Sequence, residues 1–234
     1  MELKASRGVK KMTATIPAEP EPIEIDLRRT AVMVIDMQNA FVSKGGFFDL
    51  SGADISYSQK IIQPIKHICD AAREKQIKVM YVVFRYSPDL REMGSGSQPF
   101  WHKEARFYRE HPEGRDRFLI CGTWGGEVVD ELKPQEGDMV IEKVKYSAFF
   151  GTALDITLRT LEIKYLLFVG VATNICVEAS LRDAYYHGYF PVLVSDATAP
   201  LGPEHTRETT AFNVIQCYGW VTRERELLNG LEQG

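Results

Sequence analysis

The chain has 234 residues, of which 44% are hydrophobic and 26% are charged, so it is long enough to bury a substantial core. Its formal net charge is −4 and it has no basic stripe or run, which argues against nucleic acid and membrane surfaces and favours a small-molecule partner. No apolar run approaches the roughly 20 residues that a membrane span needs.

The first 24 residues predict a flexible tail. Four basic residues, Lys4, Arg7, Lys10 and Lys11, lie among the first eleven, and a Pro-rich, acidic stretch follows at 18–22. These 24 residues lack the apolar core of a secretion signal. The predicted domain therefore comprises residues 25–234.

From Thr30 onward, short apolar runs alternate with helical patterns. The predicted strands are continuous apolar runs, which is typical of strands covered on both faces: 31–35, 79–84, 139–141, 166–171 and 192–194. The residues between them have the spacing of helices over 59–75, 127–132, 153–161, 175–187 and 204–217. This alternation predicts a single α/β domain with three α/β/α layers, a doubly wound, mainly parallel sheet and right-handed crossovers.

Residues 87–124 interrupt the alternation. This segment is polar, aromatic and rich in Gly and Pro, and it shows no clear periodicity. A segment of this length inside a compact domain is either a functional lid or a disordered excursion. Its aromatic residues favour a lid.

Polar side chains follow three of the predicted strands: Asp36, Lys143 and Cys176. In an open parallel sheet, ligands bind outside the carboxyl ends of the strands. Cys176 lies in the first turn of a predicted helix, where unpaired N–H groups favour the thiolate and can also hold an oxyanion. Taken singly, these residues read as a turn-capping aspartate, a solvated lysine and a buried cysteine. Taken together, they fit a proton acceptor, a stabilising cation and a nucleophile.

The motifs around these residues resemble the isochorismatase-like cysteine hydrolase superfamily. They are Val-Ile-Asp-Met-Gln-Asn at 34–39, Lys143, and Gly-Val-Ala-Thr-Asn-Ile-Cys-Val at 170–177. The resemblance extends from Thr30 to about Val221. Within the superfamily the chain is most similar to ureidoacrylate amidohydrolases, with biuret and triuret hydrolases as neighbours. That likeness depends on residues 36–40, 45–46, 49–50, 145–147, 149–150, 181–183, 196–198 and 219–221.

The resemblance implies a mechanism. Cys176 attacks an amide or ureide carbonyl, Asp36 takes the thiol proton and returns it to the leaving nitrogen, and Lys143 holds the pair electrostatically. Water activated by Asp36 then releases the product from a thioester-like acyl or carbamoyl enzyme. The backbone N–H groups of Ala172 and Cys176 form the oxyanion hole, and the resemblance predicts a cis peptide bond between Val171 and Ala172.

The implied function is a cysteine-dependent amidohydrolase that cleaves a C–N bond of a small ureido compound, with ureidoacrylate first. Asn39, Phe41 and Tyr146 are expected to line the substrate pocket because they follow the catalytic positions on the strand ends. Residues 213–218 lie where relatives that act on biuret place a polar substrate-binding residue, and Gln216 is the candidate here. Gln216, Cys217 and Tyr218 differ from the ureidoacrylate branch, which is more apolar there, and this difference keeps a linear ureide such as biuret or triuret as an alternative. The candidate lid contacts are Arg85, Arg91, Trp101 and His102.

No cofactor is expected. The five histidines show no metal-ligand spacing, and Asp54-Ile55-Ser56 stands where metal-binding relatives carry Asp-x-His. The four cysteines are far apart and form no Cys-x-x-Cys pair, which is typical of a reduced, cytoplasmic protein. The resemblance also implies a homo-oligomer, either a dimer or a tetramer.

Two rival functions remain. An isochorismatase proper cleaves a vinyl ether and does not need the cysteine. A non-catalytic binding protein of the same fold would have lost a member of the triad. The sequence keeps all three members, which argues against both rivals.

Overall fold

A six-stranded parallel sheet forms the centre of the structure, a computed structural model that describes residues 12–234. The strands are β1 (Thr13–Ile16), β2 (Ile23–Asp26), β3 (Thr30–Ile35), β4 (Lys78–Phe84), β5 (Met139–Lys143), β6 (Tyr165–Val171), β7 (Phe190–Ala199) and β8 (Trp220–Thr222). The sheet order is β5-β4-β3-β6-β7-β8, and every neighbouring pair in it is parallel. β1 and β2 form a separate antiparallel pair.

Helices cover both faces of this sheet. They are α1 (Asn39–Val42), α2 (Phe47–Leu50), α3 (Ser56–Lys60), α4 (Ile62–Glu74), α5 (Pro99–Glu110), α6 (Leu154–Thr160), α7 (Glu178–Tyr186), α8 (His205–Asn213) and α9 (Glu224–Gln233). The crossover through α4 adds strands in one direction from β3, whereas those through α6, α7 and α8 add strands in the other. Because such crossovers are right-handed, the two sets lie on opposite faces. The predicted three-layer, doubly wound α/β fold is therefore confirmed. No helix within residues 12–234 is long and apolar enough to cross a membrane.

The five predicted strands are all present, with ends that differ by a few residues. In β3 all six residues are buried, and in β6 only the first is partly exposed. Layers of helix on both faces leave no solvent-facing side, so continuous apolar runs are the expected pattern. β7 extends five residues beyond its predicted end at 194.

The predicted helix over 127–132 is wrong. Only Asp130–Leu132 forms a helical turn, of the 3₁₀ type. The residues before it give their backbone hydrogen bonds to the loop after β3: Val128 forms a bridge with Gln38, and the Val129 N–H donates to the Met37 carbonyl at 3.0 Å. Pairing with this loop takes the place of helical hydrogen bonds.

Two other predicted helices contain π-helical turns. The helix predicted over 175–187 is a π turn at Thr173–Val177 followed by α7, and that over 204–217 is α8 followed by a π turn at Val214–Tyr218. Such turns are rare and occur often at functional sites. The remaining short helical turns are of the 3₁₀ type: Leu27–Arg29, Arg91–Met93, Pro112–Arg117 and Trp124–Gly126.

Residues 12–24 are not a flexible tail. They form β1 and the first half of β2, and the inward residues of these two strands, Ala14, Ile16, Ile23 and Ile25, are buried. Helix α9 packs against β1, and Glu19 exchanges two backbone hydrogen bonds with Val221. The apolar residues alternate, which is the period of a half-buried strand, but the Pro-rich stretch between the two strands obscured it. Residues 1–11 of the predicted tail lie outside the described residues.

The strand order reverses at β3, and this reversal positions the site. β4 and β6 flank β3 and are reached by connections on opposite faces, so the loops that leave β3 and β6 diverge. Their divergence opens a crevice at the carboxyl end of the sheet, where α/β proteins bind ligands.

Candidate active site

Asp36, Lys143 and Cys176 meet in this crevice. Lys143 Nζ lies 2.9 Å from Asp36 Oδ2 and 3.4 Å from Cys176 Sγ. Asp36 and Lys143 are each 1% exposed, and Cys176 is 6% exposed. The structure thus brings together the three residues that the sequence nominated, although they come from three different strand ends.

Asp36 is held by the backbone at the end of β3. Its φ is 52°, a left-handed conformation in which aspartate is one of the few tolerated residues. Its N–H donates to the Val82 carbonyl at 2.9 Å, which ties the turn to the neighbouring strand. This turn directs the carboxylate into the crevice rather than along the strand.

Lys143 reaches Asp36 across a whole strand. It is the last residue of β5, and Phe84 of β4 is its register partner. The ammonium lies 4.0 Å from the centre of the Phe84 ring and also donates to the Lys145 carbonyl at 3.1 Å. Since strands are spaced by about 4.8 Å, only a long cationic side chain joins the edge strand to the carboxylate after β3.

Cys176 lies in the π turn that follows β6. Gly170 permits the close approach of β6 to β3, because its φ is +110° and a Cβ there would lie 2.1 Å from the Ile35 carbonyl oxygen. The peptide bond between Val171 and Ala172 is cis, as the resemblance predicts. Ala172 and Cys176, the two residues expected to form the oxyanion hole, both border the same cavity.

Burial dominates the ionisation of the cysteine. It raises the pKa of the Cys176 thiol well above its usual value; Lys143 lowers that pKa, and the Asp36 carboxylate raises it further. Desolvation of the charged sulfur therefore opposes the thiolate that the helix start is expected to favour. The direction of the shift favours a thiol that faces the Asp36 carboxyl group.

The two charged partners are also shifted. Burial raises the pKa of Asp36, although Lys143 and a hydrogen bond from the Cys176 thiol act to lower it. Burial lowers the pKa of Lys143, but the Asp36 carboxylate and the sulfur raise it, and the net shift is upward. Lys143 therefore stays a cation. Asp36 is a carboxylate of raised basicity, which suits a group that must accept and return a proton.

A cavity of about 120 Å³ lies in front of the three side chains. Its walls are largely aromatic and aliphatic, with few polar groups, as in many small-molecule sites. The lining residues are Asp36, Phe41, Phe47, Phe48, Phe84, Glu104, Tyr146, Val171, Ala172, Ile175, Cys176 and Leu201. Phe41 and Tyr146, two of the expected substrate contacts, are among them.

Asn39 and Gln216, the other two expected contacts, do not border the cavity. The Asn39 amide donates to the Trp124 carbonyl at 3.0 Å and its oxygen accepts from Ser43 at 2.8 Å, so the side chain braces a loop. Gln216 is exposed on the π turn after α8 and borders a separate surface depression beside Trp220. Asn39 follows a strand end in the sequence and is therefore expected in the pocket, but the turn into α1 directs its side chain away from the cavity.

Sequence reasoning missed two side chains that hold the site together. The buried Gln38 amide donates to the carbonyls of Phe84 and Gly126 at 2.8 Å each and accepts from the Phe84 N–H at 2.7 Å. Ser180 accepts from the Ala148 N–H at 2.8 Å and donates to the Cys176 carbonyl at 2.6 Å, which joins the loop after Lys143 to the cysteine helix. An amide two residues after Asp36, close to the end of a buried strand, is a signal that could have revealed Gln38. Ser180 offers no such signal.

The predicted lid segment, 87–124, contains α5 and packs over the cavity through rings. Phe47 lies 4.6 Å from Phe107 and 5.9 Å from Phe118 between ring centres, and Tyr108 lies 4.5 Å from Phe118. We call these four residues the aromatic cluster. It ties α5 to α2, so the segment is an ordered cover. Its opening and closing stay a prediction.

The four candidate lid contacts do not border the cavity. Their side chains have other partners: Arg85 pairs with Glu142, Arg91 with Asp89, Trp101 stacks with Arg109, and His102 bonds to the Gly96 carbonyl. The segment instead contributes Glu104, whose Oε2 accepts from the Tyr146 hydroxyl at 2.9 Å. Nothing in the sequence distinguishes Glu104 from the other charged residues of α5.

No metal-binding group is evident in the part of the chain that the structure describes: no three or more His, Cys, Asp or Glu side chains gather there. Asp54 accepts from the Ser56 N–H at 2.9 Å and so caps its own turn. That the protein works without a metal stays a prediction.

Comparison with known proteins places this geometry in context. A family model described as "Isochorismatase domain" matches residues 30–226. The ureidoacrylate amidohydrolase RutB of Agrobacterium fabrum is 43% identical over 221 residues, which cover 94% of this chain and 97% of that protein. Its counterpart from Rhizobium rhizogenes is 44% identical over 214 residues, covering 91% and 87%.

Solved structures of two proteins have a similar fold. A cysteine hydrolase from Pseudomonas syringae pv. phaseolicola has a TM-score of 0.75 and 25% identity, covering 96% of this chain and 99% of that one. An N-carbamoylsarcosine amidase from Thermoplasma acidophilum has a TM-score of 0.64 and 27% identity, covering 84% and 96%.

Proposed function

The chain belongs to the isochorismatase domain family, and from this membership we propose that it is a cysteine-dependent amidohydrolase that cleaves a C–N bond of a small ureido compound. The observation that carries the proposal is the contact of one ammonium, Lys143 Nζ, with both Asp36 and Cys176 at the edge of a small cavity. Relatives that are 43–44% identical over most of the chain are named ureidoacrylate amidohydrolases. Both lines support hydrolysis of an amide bond by a thiol.

The first half of the reaction forms a covalent enzyme. Asp36 accepts the proton of the Cys176 thiol as the sulfur attacks the substrate carbonyl carbon, and the carbonyl oxygen takes the negative charge. The backbone N–H groups of Ala172 and Cys176 receive this oxyanion. The tetrahedral centre then collapses: the C–N bond breaks, and the nitrogen leaves with the proton from Asp36. Each such N–H donor typically contributes roughly 3–4 kcal/mol to the transition state.

The second half releases the product. Asp36 is again a carboxylate, and it takes a proton from a water molecule that attacks the thioester or thiocarbamate carbonyl. The C–S bond breaks, the sulfur leaves as a thiolate beside Lys143, and the proton on Asp36 returns to it. The acid or carbamate departs, and the starting protonation state is restored.

Lys143 stabilises the negative charge that moves between its two neighbours. Outside the tetrahedral intermediates, in which the carbonyl oxygen carries it, the charge resides on Asp36 or on the sulfur, and Nζ contacts both at 2.9 and 3.4 Å. Because the ammonium stays in place while the charge shifts over a short distance, little reorganisation is needed.

Ureidoacrylate is the first substrate to test, because those relatives are named ureidoacrylate amidohydrolases. The alternative of biuret or triuret depends on Gln216, Cys217 and Tyr218, which line a separate surface depression and not the cavity. We propose further that a single catalytic domain begins within the first 24 residues, that it acts as a dimer or tetramer, and that it is cytoplasmic. The four cysteines, all of them unpaired, support a reduced compartment.

Replacing the nucleophile tests the proposal. Cys176→Ala should fold as the wild type does and release no ammonia or carbamate from ureidoacrylate, biuret or triuret. Cys121→Ser, at an exposed cysteine away from the cavity, is the matched control and should keep normal turnover. Mass spectrometry of rapidly quenched wild-type enzyme should show an acyl or carbamoyl adduct on Cys176. Near-normal turnover by Cys176→Ala would contradict the proposal.

A further inference from the structure

Glu104 is the one charged side chain that the cover of the cavity contributes. It projects from α5, whereas Asp36 and Cys176 lie at the strand ends across the cavity. The Tyr146 hydroxyl, from the loop after β5, donates to its Oε2 at 2.9 Å. The mechanism described above does not use this carboxylate.

The residues that line the cavity include two acidic side chains, Asp36 and Glu104, whereas Lys143 and Lys145 lie nearby without lining it. Of the twelve residues that line the cavity, none within the described chain is an arginine, lysine or histidine. Lys143 contacts Asp36 and the sulfur, and its charge is engaged there. No ion pair to Glu104 occurs within residues 12–234. The next cation, Lys145, lies 3.4 Å from the Phe100 ring centre and also donates to the Glu92 carbonyl at 3.4 Å.

The Glu104 side chain is partly buried at the wall of the cavity, beside Tyr146. Burial raises the pKa of Glu104, and the Tyr146 hydrogen bond and the two nearby lysines offset only part of that rise. A carboxylate that loses water stabilises itself by accepting hydrogen bonds, and an amide or ureide N–H supplies them. A second carboxylate placed beside it in a small, largely apolar cavity is repelled.

We propose that Glu104 accepts hydrogen bonds from N–H groups at the end of the substrate that is remote from the scissile bond. The enzyme therefore prefers an uncharged ureide to one that bears a carboxylate. This inference rests on the proposed function. It narrows the substrate class from ureido compounds in general to those with an amide or ureide at both ends. Glu104 does not suit a site for ureidoacrylate, since ureidoacrylate carries a carboxylate at its remote end.

A matched pair of substrates tests it. Ureidoacrylate and its primary amide, 3-ureidoacrylamide, share one skeleton and differ only in the remote carboxylate or carboxamide. We expect the wild type to have a kcat/KM at least about tenfold higher for the amide. Glu104→Gln keeps the size and can still accept from Tyr146, but it should remove this preference or reverse it.

Two further variants control the result. Glu104→Asp retains the charge and should retain the preference even if turnover falls. Glu110→Gln changes an exposed, Arg106-paired carboxylate on the same helix and should leave both kcat/KM values unchanged.

The outcomes separate the inference from the proposed function. If the wild type hydrolyses both compounds through Cys176 but shows no preference, or if Glu104→Gln lowers both kcat/KM values by the same factor, the inference is overturned while the function stands. If neither compound nor any other ureide is hydrolysed, the proposed function itself fails.

Discussion

Replacing Lys143 by methionine removes the only cation that contacts Asp36 within residues 12–234. Both side chains are 1% exposed, so the aspartate cannot recover its lost partner from water. Breaking a buried ion pair from one side costs about 3–5 kcal/mol, because the remaining charge is uncompensated. We therefore expect Lys143→Met to lower the free energy of unfolding by about 3–5 kcal/mol at pH 8.

The size of this loss depends on pH, and its sign follows from the aspartate. Burial already raises the pKa of Asp36 above its usual value, and removing Lys143 takes away the main opposing influence. The folded variant then binds a proton more tightly than the unfolded chain does, so its stability rises as pH falls toward and below the folded-state pKa. The gap between Lys143→Met and the wild type should narrow between pH 8 and pH 5.

The double variant Asp36→Asn/Lys143→Met completes the cycle. With both charges removed, no ion is left buried, and the double variant should lose less stability than the sum of the two single variants by about 1–3 kcal/mol. Urea denaturation followed by circular dichroism at pH 5 and pH 8 measures all four proteins. A Lys143→Met variant within about 0.5 kcal/mol of the wild type at pH 8 would refute the reasoning, because that is the range of an ordinary surface substitution.

Three more predictions concern the scaffold and the thiol. Gly170→Ala should lower the free energy of unfolding in urea by about 3 kcal/mol or more, because its Cβ would lie 2.1 Å from the Ile35 carbonyl oxygen at a φ of +110°. Gly188→Ala, at φ +83° with nothing within 4 Å, should lower it by only about 1–2 kcal/mol. Equal losses would remove the steric argument. Gln38→Leu should cost about 3 kcal/mol and reduce kcat, since it strands three backbone groups near the site, and a fully stable, fully active variant would contradict this bracing role. In a variant whose two exposed cysteines are serine, alkylation of Cys176 by iodoacetamide should be slow at pH 7 and still accelerate above pH 9, because its pKa is raised well above the usual value; a rate that levels off near pH 7 would show a preformed thiolate.

The residues of the sheet were predictable because their pattern is local. Strands β3, β4 and β6 are continuous apolar runs, and a run of this kind indicates a strand covered on both faces wherever it occurs. The polar residues that follow such runs can also be recognised in the sequence, and they include Asp36, Lys143 and Cys176. The strands β1 and β2 were missed because four-residue segments carry too few alternations to outweigh the Pro-rich stretch between them.

Other features were decided by contacts between distant segments. The helix predicted over 127–132 is replaced by pairing with the loop after β3, which no local pattern encodes. Asn39 is expected in the pocket from its position after a strand end, and Gln216 from the resemblance to relatives that act on biuret, yet neither side chain borders the cavity. Glu104 was overlooked, although α5 places it in the cavity beside Tyr146.

The sequence by itself determined the layered α/β fold, the order of its elements and the chemical identities of a nucleophile, a proton acceptor and a cation, because each is written in a local pattern or a single residue type. Only the tertiary structure decided how these groups act on one another. It buried Cys176 beside Asp36, which raises the pKa of its thiol, and it set a second carboxylate, Glu104, in the same cavity. Ionisation and specificity depend on distances of a few ångströms and on the exclusion of water, and both arise only when residues far apart in the chain are packed together.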